Sequence, residues 1–444
     1  MKTDRRRFLG TAACAGGLAG LFGAAGCASL PGLAGPPRKS MLGFGAEPLG
    51  KIRAGIIGVG ERGSAAAGRL AAIPNVEVRA LCDLDAAGVD RQAKALTGQG
   101  RPAPARYSGA SDAWQKLCES DGLDLIYICT PWLLHTPMAV YAMQCGKHAA
   151  VEVPAAMTVE QCWQLVDASE AARRHCVMLE NSCYGETELL TLALCRKGLL
   201  GDLVHGEAAY FNDLRKGAQP LVHQKPWWLD FIKQHTGNPY PTHGLGPVCQ
   251  CMAVNRGDRF EALTSMSSNQ LGLTLAAQER FGKNSAEAKT SYRLGDMNTT
   301  LVRTYRGRTL TIQHSTTTPR PHSRTALVAG TRGVVSGDPL RVALDPKGDA
   351  WMADAELAAF KAKHAHPLWA RHGGGGADFL MDLRLCHCLQ NGLPPDSDVY
   401  DAALWSSVVE LSERSAEREG AALKVPDFTR GGWKSADPLG IVTA

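Results

Sequence analysis

From about residue 51 onward the apolar positions fall into short runs separated by stretches at helical spacing. Ile52-Arg53-Ala54-Gly55-Ile56-Ile57 is a short apolar strand, followed by a glycine turn and a small-residue helical stretch from Ser64 to Ala72. Val76-Glu77-Val78-Arg79-Ala80-Leu81-Cys82-Asp83 alternates as a strand and ends on an acid. Asp124 to Thr130 is a continuous apolar run stopped by Pro131, as a parallel strand covered on both faces would be. Strand and helix signals alternate in this way to about residue 155, which predicts an open parallel sheet with helices on both faces.

After a helical segment from Val159 to Arg174 the pattern changes. Leu203 to Phe211, Ala262 to Ser268, Thr299 to Tyr305 and Thr309 to Ser315 read as longer strands joined without regular helices, and Asp378 to Leu389 and Val399 to Arg418 return to helical spacing. The fold class expected is an α/β Rossmann domain, residues 51–175, plus an α+β domain with a large, mostly antiparallel sheet and C-terminal helices, residues 176–444. Residues 31–50 hold five glycines and four prolines, so residues 28–50 read as a linker that cannot pack a core.

Residues 1–27 belong to neither domain. Arg5-Arg6-Arg7-Phe8-Leu9 before an apolar Ala/Gly/Leu run matches a bacterial twin-arginine signal peptide, which sends folded proteins out of the cytoplasm. A periplasmic or other extracytoplasmic location is expected, with the twin-arginine export machinery as a partner. Ala24-Ala25-Gly26-Cys27 resembles a lipoprotein cleavage box; either Cys27 carries a lipid anchor, the sole membrane contact expected, or cleavage nearby is ordinary. The net charge is +5, of which Lys2, Arg5, Arg6 and Arg7 against Asp4 supply three, so the exported chain has no nucleic-acid footprint. Fourteen cysteines sit mostly one by one in apolar segments and read as buried thiols. Cys249-Gln250-Cys251 and Cys386-His387-Cys388 lack the spacing of a structural zinc site, and no metal is expected.

Gly58-Val59-Gly60-Glu61-Arg62-Gly63 is G-x-G-x-x-G between a strand and a helix, with Asp83 ending the next strand twenty residues beyond Gly63. Gly58 permits the tight turn, Gly60 lets the backbone approach a pyrophosphate, and Gly63 lets the helix pack on the strand. The helix N-terminus offers free N–H groups to phosphate, and Asp83 would accept from ribose hydroxyls and repel a 2′-phosphate, so NAD is the expected cofactor. Trp132 and His135 follow the next switch-side strand, and Glu152, just past another strand end, is placed to hold the nicotinamide ribose.

The pattern T-P-x-x-x-H-x-x-M followed by G-K-H-x-x-x-E resembles the Gfo/Idh/MocA oxidoreductases, although their usual E-K-P lysine is Val153 here. No ammonium is then available for a simple alcohol dehydrogenation. Glu152-Val153-Pro154-Ala155-Ala156, the block Leu179 to Gly185, Tyr240-Pro241-Thr242-His243-Gly244-Leu245-Gly246-Pro247, Asn255-Arg256-Gly257-Asp258-Arg259 and Asp398 to Trp405 narrow the resemblance to glycoside hydrolase family 109, the NAD-dependent α-N-acetylgalactosaminidases.

That resemblance implies a hydrolase in which sugar C3 is transiently oxidised, the C2 proton is lost, the C1 substituent is eliminated, water adds and C3 is reduced again. Tyr184 and His243 suit the proton transfers by residue type, the tyrosine provided that neighbouring positive charge lowers its pKa. Carried over from the family, Glu61, Arg62, Val153 and Asn181 contact the cofactor, while Tyr210, Tyr240, Thr242 and His243 line the sugar pocket. The chain departs from the family at Trp227-Trp228, where Trp-Arg is expected, and at His322, where a tyrosine is expected. Trp228 either stacks on a sugar face or is a buried aromatic. A glycan or glycoside is the expected substrate and an assembly of identical subunits the expected state. A periplasmic sugar oxidoreductase with tightly bound nucleotide and a non-catalytic carbohydrate-binding protein are the alternatives.

Overall fold

The computed structural model describes residues 39–215 and 226–443. The expected signal peptide, residues 1–27, and residues 28–38 of the expected linker lie outside them. Six strands form the first sheet: β1 (Ile52–Ile57), β2 (Val76–Asp83), β3 (Ala105–Ser108), β4 (Leu125–Ile128), β5 (His148–Val151) and β6 (Cys176–Met178). Their order is β3-β2-β1-β4-β5-β6, with every pair parallel. Leu125 to Ile128 is wholly buried because helices cover both faces, which is why the run carries no alternation. The order reverses between β1 and β4, so the loops leaving these two strands flank the crevice where such sheets bind ligands.

The second sheet has eight strands: β7 (Leu203–Phe211), β8 (Phe260–Ser267), β9 (Asn298–Thr304), β10 (Thr309–Ser315), β11 (Ala326–Gly330), β12 (Gly333–Ser336), β13 (Arg341–Leu344) and β14 (Leu423–Lys424). The order is β13-β12-β11-β7-β10-β9-β8-β14, antiparallel throughout except that β7 and β10 run parallel.

Two boundaries differ from the sequence reading. Cys176–Met178 is the sixth parallel strand, paired with β5, so the first domain extends past residue 175. The helix Gly376–Asn391 also returns to the parallel sheet: Asp382 accepts from Tyr127 Oη at 2.8 Å and from Arg69 Nε at 2.7 Å. Nor is the linker loose from Lys39 onward. Arg173 donates to the Lys39 and Ser40 carbonyls and lies 3.8 Å over the Phe44 ring, and the Met41 amide donates to Tyr400 Oη at 2.9 Å. One of the glycines that suggested a tether serves contact here, since a Cβ on Gly45 would fall 2.0 Å from the Gly392 carbonyl oxygen.

Two sequence blocks far apart in the chain meet as a clamp. Asp398 caps the helix Val399–Ala416 in a reciprocal box with Asp401. Arg256 bridges both carboxylates at 2.9 and 2.8 Å, and Asn255 donates to Asp401. The described cysteines are free thiols. Among the described residues no group of three or more His, Cys, Asp or Glu side chains is placed to hold a metal ion.

Candidate active site

The glycine loop has the shape that a dinucleotide needs. Gly58 has φ +88°, and a Cβ there would fall 2.6 Å from the Cys129 carbonyl oxygen. A Cβ on Gly63 would meet the Gly58 carbonyl oxygen at 1.8 Å, so the helix Glu61–Ala72 packs on its own loop only with glycine there. Gly60 differs: a Cβ would meet nothing within 4 Å, which leaves open space in front of the helix N-terminus, where a pyrophosphate would lie. Asp83 Oδ2 accepts from the Val59 amide at 2.8 Å, which holds the acid against the loop and within reach of a ribose. These residues fit NAD.

Around this loop runs a network of charged and polar groups. Arg62 bonds Glu152 at 2.7 Å and Asp378 at 3.0 Å, and Asp378 also accepts from Asn181 Nδ2 at 3.0 Å. Desolvation works against the charge of Asp378, but Arg62 more than compensates and holds its carboxyl below the usual carboxylate range. Arg324 Nη1 completes the chain by donating to Asn181 Oδ1 and Ser182 Oγ. Sequence reasoning passed over Asp378, since nothing local marks a helical acid more than two hundred residues from the loop it serves. Glu61 is exposed in the first turn of its helix.

His243 stands in a buried relay. Its Nδ1 lies 2.7 Å from Glu180 Oε1 and its Nε2 3.2 Å from Tyr240 Oη. Burial opposes ionisation of Glu180, yet the His243 ring, with smaller contributions from Thr242 and Arg324, keeps that carboxyl below its ordinary value. With Nδ1 donating to that carboxylate, Nε2 is left to accept the Tyr240 hydroxyl proton. The geometry follows from the helix Thr242–Cys251, all of whose residues, Thr242 included, are buried. A Cβ on Gly244 would fall 2.3 Å from the Ala209 amide nitrogen and one on Gly246 2.9 Å from Glu180 Cγ, so T-H-G-L-G-P brings the helix down onto β7 and beside Glu180. Sequence reasoning gave Glu180 no role, although it follows a strand end just as Glu152 does.

Aromatic rings form the wall of this site. Trp132 stacks on Tyr240 at 5.6 Å, Tyr210 meets Tyr240 edge-on at 5.0 Å and His243 at 5.5 Å, and His322 stands edge-on to Tyr210 at 5.9 Å. Trp228 is buried beside Trp132 at 5.2 Å, in a cluster with Ile232 and Leu273. The structure thus gathers Tyr210, Tyr240, Thr242, His243 and His322 and seats Trp228 as packing behind Trp132.

Three residues are placed otherwise than expected. The Tyr184 hydroxyl is taken up by Asp396, donating to its Oδ2 at 3.3 Å, and Asp396 is held by Nε and Nη2 of Arg384. Burial, reinforced by Asp396, pushes the Tyr184 phenol up, away from the lowering that a proton-transfer role for it would require. His135 turns both ring nitrogens to main-chain carbonyls, those of Pro154 and Thr130, each at 2.7 Å, and so ties two loops together rather than offering its ring to a cofactor. Val153 is buried in the core, leaving only its main chain for a ligand.

Comparison with known proteins settles the family. The model for the C-terminal domain of glycosyl hydrolase 109 matches residues 184–435. The chain belongs to glycosyl hydrolase family 109. The oxidoreductase-family model for the NAD-binding Rossmann fold matches residues 52–181 of this family 109 chain. A glycosyl hydrolase family 109 protein of Shewanella amazonensis is 46% identical over 455 residues, covering 99% of each chain. An α-N-acetylgalactosaminidase of Bacteroides fragilis is 45% identical over 413 residues, 90% of this chain and 97% of that one. Among solved structures, levoglucosan dehydrogenase in complex with NADH and levoglucosan matches with TM-score 0.65 at 18% identity, covering 85% of this chain and all of that one. The aldose-aldose oxidoreductase of Caulobacter crescentus matches with TM-score 0.61 at 19% identity, over 84% of this chain and all of that one. The last two establish a common fold. The family 109 chain is a glycoside hydrolase that uses NAD.

Proposed function

We infer that the protein is an exported α-N-acetylgalactosaminidase that cleaves its substrate by oxidation at C3, elimination, hydration and re-reduction. The observation that carries this reading is the Glu180–His243–Tyr240 relay at the foot of an aromatic pocket, beside a loop shaped for NAD. Bound NAD⁺ supplies a hydride acceptor whose hydride is given back at the end of the cycle, so the reaction consumes no oxidant.

The protein's own groups manage protons. A carbonyl at C3 acidifies the C2–H bond; His243, its ring held by Glu180, accepts that proton directly or through Tyr240 Oη, and the C2 electron pair expels the C1 substituent. Tyr240 is a phenol at rest, since burial and the neighbouring Tyr210 push its pKa up, so it passes a proton to His243 as it receives one. Water then adds at C1 and the relay returns a proton to C2. Tyr210, half-buried, offers ring surface to the sugar, and Trp132 backs the wall by stacking on Tyr240. Val153 in the lysine position supports this reading over a net sugar oxidoreductase.

A panel of p-nitrophenyl α- and β-glycosides, given to protein purified without added nucleotide, tests the assignment. Hydrolysis of the α-N-acetylgalactosaminide above the other members is expected; a folded, NAD-loaded protein inactive on it would overturn the reading. Export through the twin-arginine pathway rests on Arg5-Arg6-Arg7-Phe8-Leu9. Arg5→Lys with Arg6→Lys should strand the precursor in the cytoplasm, and an unchanged periplasmic yield would point to another route.

A further inference from the structure

The Arg62 side chain reaches across the cofactor crevice. Its helix, Glu61–Ala72, follows β1 on one side, yet its guanidinium bonds Glu152, just past β5, at 2.8 Å from Nε and 2.7 Å from Nη2. Because β4 lies between β1 and β5 in the sheet, the side chain passes over the strand end where such sheets receive a dinucleotide. The outer edge of the same guanidinium is taken by Asp378, whose two oxygens lie 3.3 Å from Nη1 and 3.0 Å from Nη2. A guanidinium forked between two carboxylates is fixed in its plane as well as in its reach. Asp378 Oδ1 also accepts from Asn181 Nδ2 at 3.0 Å, so one acid in the first turn of the helix Gly376–Asn391 ties together Arg62, Asn181 and, through Arg62, Glu152.

A second rung joins the same two helices, with Arg69 donating to Asp382 at 2.7 Å. The two rungs differ in burial: the Asp382 side chain is 0% exposed and Arg69 16%, whereas Arg62 and Asp378 are 43% and 32% exposed. The inner rung suits a structural role. A pair as open as the outer one adds little to stability, so its place over the crevice points to the cofactor and not to the fold. We propose that Asp378 is a positioning residue for NAD: it holds the Arg62 guanidinium across the crevice as a strap that slows release of the bound nucleotide, and it acts through Arg62 without touching the nucleotide itself. Without Asp378 the guanidinium would keep Glu152 alone as its carboxylate partner, and the Asn181 amide would lose its acceptor. Hydrolysis leaves no net oxidation, so a cofactor held in this way need not exchange between turnovers.

The test follows exchange of the nucleotide bound to the holoenzyme against isotopically labelled NAD, with mass analysis of the nucleotide that stays on the protein. Asp378→Ala should exchange about tenfold faster or more, and so should Arg62→Gln and the volume-conserving Asp378→Asn. Since the two residues form one device, the double variant Arg62→Gln/Asp378→Ala should exchange no more than about twofold faster than the faster single variant. Asp382→Asn should lower the Tm and leave exchange within about threefold of wild type, because the inner rung lies behind the crevice in the helix contact. Wild-type exchange in both Asp378 variants would overturn the strap. Multiplying effects in the double variant would show that Asp378 acts independently of Arg62, and equal acceleration by Asp382→Asn would show that helix docking in general retains the nucleotide; either contradicts the proposal. Exchange is read without substrate, so these outcomes stand apart from the question of which glycoside is cleaved.

Discussion

One carboxylate fixes the protonation pattern at His243. Glu180 is itself buried, and its 2.7 Å bond to Nδ1 leaves Nε2 as the basic nitrogen that faces the pocket. Glu180→Gln should therefore lower kcat by about 10²-fold with KM and NAD content unchanged. A merely structural Glu180 would lower the Tm and leave kcat of the folded, NAD-loaded enzyme in place. Tyr184 provides the contrast. Tyr184→Phe removes a hydrogen bond to Asp396 and should cost about 1–2 kcal/mol of stability, seen as a lower Tm, with kcat within about threefold of wild type. A 10²-fold loss of kcat at unchanged Tm would restore it to the proton-transfer machinery. The sequence allowed the choice of His243 and of the Tyr240 block, because the block itself carries the resemblance. It could not separate Tyr184 from Tyr240, since both are tyrosines near strand or helix ends and only packing decides which hydroxyl meets the histidine.

At the scale of elements, the glycine loop and its helix form a unit in which shape and chemistry separate by position. Gly60→Ala adds a methyl group to open space and should leave the Tm of nucleotide-free protein within about 1 °C, yet weaken NAD binding by about tenfold or more, because the methyl occupies the approach of the pyrophosphate. Gly63→Ala drives a methyl into the Gly58 carbonyl oxygen and should lower both stability and NAD binding. Equal effects of the two on Tm, measured by thermal unfolding and by nucleotide released on denaturation, would refute the distinction. The strands were legible because each signal was local: β1, β2, β7 and β10 follow the predicted runs closely. The helix Gly376–Asn391 was legible as a helix but not as part of the cofactor half, because Arg62 and Arg69, the arginine partners of Asp378 and Asp382, lie 316 and 313 residues back along the chain. The docked segment from Lys39 was missed for a related reason, its glycines being read as freedom although Gly45 serves close approach.

At the scale of the whole molecule, His148, His175 and His314 are among the described histidines that burial holds neutral. Desolvation carries His148 to about 3, His175 to about 4 and His314 to about 3, with nearby positive charge adding to the effect at the first two. The unfolded chain takes up protons at these positions near pH 6.5 and the folded chain does not, so their stabilisation is complete above that pH and is lost as the pH falls towards 3–4. Each can remove up to about 1.4 kcal/mol per pH unit within that window. Over the same range Asp382, which burial raises to about 6, works in the opposite direction, so the test is a comparison: with His314→Asn the Tm should fall less, or rise more, between pH 7 and pH 5 than in the parent protein, and an unchanged pH dependence would show that the ring is protonated or accessible.

The central claim is that a buried proton relay and a returned hydride together perform a hydrolysis. The most direct test is hydrolysis in D₂O of a substrate whose C3 carries deuterium, with isotope analysis of the released sugar. A solvent deuteron at C2 and a retained deuteron at C3, with no lasting change in nicotinamide absorbance over many turnovers, is the predicted result. Release of sugar that still carries its original hydrogen at C2 would contradict the elimination route.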